Sequence, residues 1–413
     1  MIQLFNKHKD IFIFTFSLMF FSGLGQSFLL GQYFFHIKKD LSLTGTEISL
    51  AYSLGTLFAS LNHSTIGTYI DKLSWTKSTL ITISFIFLGQ MILSFSKSTT
   101  SLFFGFYFLR CFGQMTLSSI SGTLIGKVFG GHRGKFNTLA SYGRSFAEGV
   151  LPSIIAFLIS LYFWRISFII SGVFLIIVMI PITLFFGQKI GKDPLYNDKF
   201  ALKKKFSKQT MKWRDLIFEE KKSLIIMFGN MILPFILTGI FIQQSDLAID
   251  RHWDLKDAAL GFVFFSLFQI IGHTILGVLI DKFGAFRLIT FIPLPLFLGL
   301  CFLKIATSVE MFYLCMAFLG FSVGTQSSII NAFWAEVYGT RFLGRIKGMN
   351  STMVVIGTAI APLLFSYFLD KGHNFDFLIS FCLFLTFIGF IIFNVGTKSF
   401  RTTAISSKKK FIP

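Results

Sequence analysis

The stretch GVLIDK, residues 277–282, repeats GTYIDK, residues 67–72, and the offset of 210 residues between them is about half of a 413-residue chain. The same offset carries His63 onto His273, Asp71 onto Asp281, Lys72 onto Lys282, Gly134 onto Gly344, Lys135 onto Arg345 and Pro152 onto Pro362. One match would mean little. Several at one offset mean an internal duplication.

The composition around the repeat decides the class. The chain is 53% hydrophobic, only 14% charged and holds 58 phenylalanines, a balance that a water-soluble domain of this size does not sustain. Apolar runs long enough to cross a hydrocarbon core of ~30 Å recur along it. In lipid, backbone polar groups must be satisfied within the segment, so bundled helices follow. The spacing predicts spans near 10–35, 44–70, 78–96, 101–127, 137–162 and 166–187, then 223–247, 257–280, 288–306, 310–336, 347–370 and 377–397. This gives an all-α polytopic membrane protein of twelve transmembrane helices in two parallel six-helix repeats. The blocks are an N-terminal bundle (1–187), a basic cytosolic linker (188–222), a C-terminal bundle (223–397) and a cytosolic tail (398–413).

A formal charge of +19 raises nucleic acid as a partner, but the basic residues lie in short connections rather than on one surface. Lys7, Lys9, Lys72, Lys77, Lys127, Arg133, Lys135, Lys282, Arg287, Arg341, Arg345, Lys347 and Lys398 share one side with the linker and the tail. The opposite connections hold the fewer Lys38, Lys39, Lys97, Arg165, Arg251, Lys256, Lys304 and Lys371. By the positive-inside rule both termini are cytosolic. Trp75, Trp164, Trp213, Trp253 and Trp334 fall in loops or at helix ends, where an amphipathic ring suits the headgroup region. Cys111, Cys301, Cys315 and Cys382 have no pairing or metal spacing and read as packing residues. The linker, with Lys203–Lys205, reads as a solvated segment, or as a short amphipathic helix on the inner leaflet.

The segment GxxxDK(x)G at Gly277, Asp281, Lys282 and Gly284 resembles the signature loop of the major facilitator superfamily, and the first copy departs from it with Ser74 in place of glycine. FLRCFGQ from Phe108, RGKF from Arg133, EGVLP from Glu148 and WAEVYGTR from Trp334 are similar to bacterial carriers related to monocarboxylate and organic-anion porters. The resemblance implies the parallel-repeat plan of that superfamily and a secondary transporter in a bacterial inner membrane. Its substrate would be a small organic anion moved with protons. Export of amphipathic drugs or siderophores is the alternative. No phosphate-cradling glycine loop, metal cluster or nucleophile–base motif stands in the sequence. An enzyme and a resident cofactor are therefore not expected, nor is nucleic acid. The expected partners are the solute, protons and lipid, and the expected state is a monomer.

Ionisable groups inside a bilayer are costly, so they are where mechanism is sought. Glu148 lies roughly 16 Å and Arg110 about 13 Å into their spans at 1.5 Å per residue. Arg144 and Glu148, four apart, share a helix face. The offset sets Arg110, Arg144 and Glu148 opposite Gly320, Val354 and Thr358, so the cluster belongs to the first repeat. Arg110 is expected to bind an anion through its guanidinium fork, with Glu148 as a protonatable competitor for it. A permanent buried network joining these charges is the alternative. Gln26, Gln114, Asn230, Gln326 and Asn331, with Gln32, Gln243 and Gln244, are candidates to line the path. His63 and His273 are candidates for proton coupling, though their symmetry favours hydrogen bonding between helices. Gly67, Asp71, Lys72, Gly277, Asp281 and Lys282 are assigned to gating, the glycines through close helix approach and the aspartates by holding helix N-termini. Glu336 is read as the ion-pair partner of Arg341.

Overall fold

The structure, a computed structural model, describes residues 8–70, 72–129, 133–192 and 221–409. Asp71, Trp213 and the Lys203–Lys205 run lie outside these residues. Every regular element is helical among the described residues. Among the described residues ten helices are long and apolar enough to cross a membrane; the other two predicted spans, over 44–70 and 101–127, are the more polar ones.

In chain order, α1 is Lys9–Phe21 and Ser27–Asp40, joined by a 3₁₀ turn at Ser22–Gly25. α2 is Gly45–Ile70 and α3 is Trp75–Ser94. α4 runs from Thr99 to Phe129, with a π-helical stretch at Leu109–Leu117. α5 is Arg133–Tyr162; α6 is Trp164–Ile182, continued through a π turn to Lys192. α7 is Lys221–Ile242 with a short extension Gln244–Asp250, and α8 is Leu255–Phe283. α9 starts at Ala285, passes a 3₁₀ turn at Ile289–Phe291 and ends with Pro293–Ile305. α10 (Val309–Tyr338) and α11 (Ile346–Asp370) form one helical run, Val309–Asp370, where a polar loop was expected. α12, Phe375–Lys409, continues well past its predicted end at 397. Pro152 and Pro362, paired by the offset, both sit inside helices, α5 and α11.

Two compact units result: Met1–Ser207 with Phe241–Ile249 and Asp254–Phe262, and Lys208–Ile240 with Asp250–Trp253 and Val263–Pro413. The second repeat, predicted from 223, contributes to both units. Its residues 241–249 and 254–262 pack with the first unit.

Close packing within each unit depends on small residues. In the first, Gly55 of α2 faces the backbone of α4 at Phe103 and Tyr107. In the second, Gly320 and Gly324 of α10 face the α8 backbone at Phe265 and Gln269. The same helix pair is joined in both units, and in the second Gly272 of α8 also faces the α10 backbone at Phe321.

Each unit also carries a polar staple at the end bearing the α1–α2 or α7–α8 connection. In the first, Arg165 at the start of α6 pairs with Asp40 at 2.8 Å and donates to the carbonyls of Ser94 and Ser96 at 2.8 and 2.7 Å. In the second, Asp376 at the start of α12 pairs with Arg251 at 2.6 Å and Lys304 at 3.6 Å. The base is on the even helix in one repeat and the acid is on it in the other.

Trp75 and Trp164 open α3 and α6, whereas Trp334 lies within the continuous α10–α11 run, and all three are buried in protein. Trp334 packs in the core with Phe333, Ile346 and Ile226. Cys111, Cys315 and Cys382 are buried and unpaired, in keeping with packing.

Candidate functional site

The break in α1 and the π stretch of α4 meet face to face. A Cβ on Gly25 would collide with the Leu109 carbonyl and lie 2.6 Å from the Gln114 nitrogen; one on Gly113 would lie 3.1 Å from the Gly25 nitrogen. Only glycines let two backbones lie this close. The break has a sequence cause in Gly23 and Gly25, which weaken the helix. The widened turn of α4 is signed by Thr116, whose hydroxyl donates to the carbonyl five residues back, at Cys111, at 2.8 Å.

Arg110 enters this junction from the π stretch. It is 1% exposed, donates from Nε to Thr56 Oγ1 and from Nη1 to the Gly25 carbonyl, both at 3.0 Å, and lies 5.1 Å from the Tyr52 ring centroid. Among the described residues its partners are a hydroxyl, a carbonyl and a π face, with no carboxylate. Gln26, which caps the second half of α1, and Gln114, whose buried Oε1 has no hydrogen bond among the described residues, belong to the same place.

Glu148 takes a different partner, pairing with Arg144 one turn earlier on α5 at 3.8 Å. Its carboxylate is largely covered and the Arg144 side chain is about one-third exposed. Ala147 packs on Gly23, so Glu148 lies level with the α1 break. Arg110 is oriented by Thr56 and Gly25, and Glu148 by Arg144.

The candidate amides of the second unit form another group. Gln326 donates to the Asn230 carbonyl at 2.9 Å, and Asn230 Nδ2 to Asn350 Oδ1 at 3.1 Å, joining α10, α7 and α11. Asn331 stands apart, exposed and bonded to the Ser327 carbonyl of its own helix. Gln244 donates to the Phe28 carbonyl at 3.3 Å, while Gln32 and Gln243 are buried.

His63 shares a hydrogen bond with Ser119 at 3.0 Å, and His273 with Ser328 at 3.1 Å. Each bridges its second and fourth helix. A Cβ on Gly67 or Gly277 would meet nothing within 4 Å among the described residues. Lys72, Asp281 and Lys282 are exposed. The side chain of Arg341 lies outside the described residues; Glu336 itself is engaged elsewhere. Its oxygens accept from the backbone N–H groups of Ala285 and Phe286 at 2.8 and 3.1 Å, capping α9. The equivalent α3 is capped by Ser74, which accepts from the Lys77 N–H, whereas its repeat mate Gly284 has no side chain to do so.

Sequence reasoning missed Thr56, Tyr52 and Gly25. The GLGQ stretch at 23–26, with two glycines inside an apolar run, was the available signal.

Comparison with known proteins agrees with this architecture. The nucleoside transporter NupG has a TM-score of 0.69 at 12% identity, covering 95% of this chain and 99% of that one. A bacterial homolog of the human lysosomal transporter Spinster, in an inward-facing, unoccupied conformation, also has a TM-score of 0.69 at 12% identity, covering 95% and 97%. The glucose transporter GlcP of Staphylococcus epidermidis (strain ATCC 12228 / FDA PCI 1200) is 27% identical over 156 residues, which is 35% of each chain. The chain thus matches about a third of that curated relative's length. Residues 15–243 and 223–410 each match the Major Facilitator Superfamily, and with both halves matched the chain belongs to that family of multi-pass membrane transporters.

Proposed function

We propose that this secondary transporter moves a small organic anion, of monocarboxylate type, together with protons across a bacterial inner membrane, with both termini in the cytosol. One observation carries the anion reading: among the described residues the partners of the buried Arg110 are a hydroxyl, a carbonyl and a ring, all neutral. An unbalanced interior charge is costly. A bound carboxylate would balance it, and the guanidinium fork suits that geometry. Glu148 supplies a carboxylate able to take up a proton at the same level. The exposed Asp281, Lys282 and Lys72, with Asp71, are assigned to a cytosolic latch that forms in another state of the cycle.

The second reading is an uncharged, hydroxyl-rich solute. The amide group Asn230, Gln326 and Asn350 favours it, since amides donate and accept without charge. The names of GlcP and NupG, a glucose and a nucleoside transporter, point the same way.

Uptake into vesicles containing the purified protein, using labelled monocarboxylates, glucose and uridine with and without an inward proton gradient, separates the readings. Gradient-driven monocarboxylate accumulation that Arg110→Gln abolishes supports the first. Accumulation of glucose or uridine, insensitive to Arg110→Gln and lost in Asn230→Ala, supports the second.

A further inference from the structure

The break in α1 places a second feature beside Arg110, the start of the half-helix Ser27–Asp40. Gln26 stands at its N-cap position with extended backbone, and the Gln26 carbonyl accepts from the N–H groups of Leu29 and Leu30 at 3.2 and 3.1 Å. The Gln26 side chain makes no capping hydrogen bond. The N–H groups of Ser27 and Phe28 therefore have no carbonyl of the half-helix to bond, and they carry the positive end of its dipole.

Two more donors lie at the break. Arg110 uses Nε on Thr56 and Nη1 on Gly25, two residues before Ser27, and its Nη2 makes no hydrogen bond among the described residues. Tyr52 is 0% exposed, and its ring is fixed edge-on by Phe34 and Phe106, with centroids 5.7 and 5.6 Å away. The Tyr52 hydroxyl lies beside the Ser27 and Thr56 side chains, yet it has no hydrogen-bond partner among the described residues. A buried polar group left unpaired is costly. The unsatisfied groups are thus all donors, gathered around one full positive charge. A carboxylate meets both needs, since it accepts at two oxygens and carries the opposite charge. Gln26 and Ser27 are partly exposed while Arg110 and Tyr52 are covered, so the side of approach is the α1 break itself.

We propose that the substrate carboxylate docks on the N-terminus of Ser27–Asp40, accepting from the Ser27 and Phe28 N–H groups and from the Tyr52 hydroxyl, with Arg110 as its counter-charge. The two ends exposed by the break then serve opposite signs. The Gly25 carbonyl, from the first half, holds the guanidinium, and the N-terminus of the second half holds the anion. Tyr52 becomes a binding residue, and the break becomes the anion subsite as well as the support of Arg110. The inference rests on the anion reading and adds to it where the carboxylate sits.

The test is exchange of labelled lactate, pyruvate and acetate in proteoliposomes containing the full chain, with thermal unfolding in detergent measured alongside. Tyr52→Phe removes the hydroxyl and keeps the ring. It is expected to raise KM by roughly tenfold, as loss of one hydrogen bond to a charged group does, with the maximal rate unchanged. Its unfolding midpoint should not fall, because the hydroxyl has no protein partner to lose. Gln26→Asp sets a carboxylate on the same N–H groups, and is expected to raise the unfolding midpoint while abolishing exchange. Unchanged KM in Tyr52→Phe, or exchange retained in Gln26→Asp, overturns the proposal. If Arg110→Gln still abolishes exchange in that case, the anion reading stands and only the docking position falls. If none of the three acids exchanges in the unsubstituted chain, or Arg110→Gln exchanges them at the full rate, the anion reading falls and this inference with it. Should Gln26→Asp lower the midpoint, its loss of exchange is a folding defect and the KM of Tyr52→Phe decides.

Discussion

Arg110 donates to the carbonyl of Gly25 where α1 is broken, so the buried charge of α4 is fixed by a backbone group that a continuous helix would have used itself. The broken helix and the widened helix explain each other. α1 frees an acceptor, α4 supplies the donor, and Gly25 and Gly113 let the backbones close to that distance.

Gly25→Ala is therefore expected to be among the most damaging single changes in the first unit. Its methyl group meets the Leu109 carbonyl and the Gln114 nitrogen, both backbone atoms that cannot rotate away. A loss of about 2 kcal/mol or more, at the upper end for overpacking, should appear as a lower midpoint of thermal unfolding in detergent. Thr56→Val leaves one guanidinium donor without its partner and should cost about 1–3 kcal/mol.

The two repeats cap their third helices differently, and the solutions should not be interchangeable. Glu336→Ala removes the acceptor for Ala285 and Phe286 and should lower stability by about 1 kcal/mol. Gly284→Ser does not repair it, because Gly284 has φ of +78°, a region that strains a residue with a Cβ. Thermal unfolding of the two single variants and the double variant checks this.

The terminal staples should contribute to stability without setting the transport rate. Arg165→Ala gives up Asp40 and two carbonyls, and Asp376→Asn weakens its hold on Arg251 and Lys304. Exposed pairs are worth up to about 1 kcal/mol, and the carbonyl bonds of Arg165 raise its share. The expected result is a lower unfolding midpoint for Arg165→Ala than for Asp376→Asn, with the rate of solute exchange unchanged in the surviving folded fraction.

His63 and His273 bridge helix pairs symmetrically, each to a serine. His63→Asn keeps a polar group at the bridge. It should leave the pH dependence of uptake unchanged while shifting stability by at most about 1 kcal/mol. A displaced pH profile would return His63 to proton transfer.

Much of the fold was legible because duplication and hydropathy are redundant signals. The pairing of Asp71 with Asp281 and of Pro152 with Pro362 required two copies, and lipid permitted only helices. The interruptions were less legible. A π stretch leaves no composition signature, and the helical link between α10 and α11 crosses a polar segment that reads as a loop. The bonding of Arg110 to Thr56 and Gly25 was hidden as well, since spacing along α4 and α5 says nothing of which neighbour a side chain reaches.

The central claim is that Arg110 is the fixed positive charge against which an anionic substrate is moved. The most direct measurement is accumulation of labelled monocarboxylates by proteoliposomes under an inward proton gradient, comparing the unsubstituted chain with Arg110→Gln and Glu148→Gln. The account predicts gradient-driven accumulation in the unsubstituted chain, none in Arg110→Gln, and exchange without accumulation in Glu148→Gln. Accumulation in Arg110→Gln equal to that of the unsubstituted chain would contradict it.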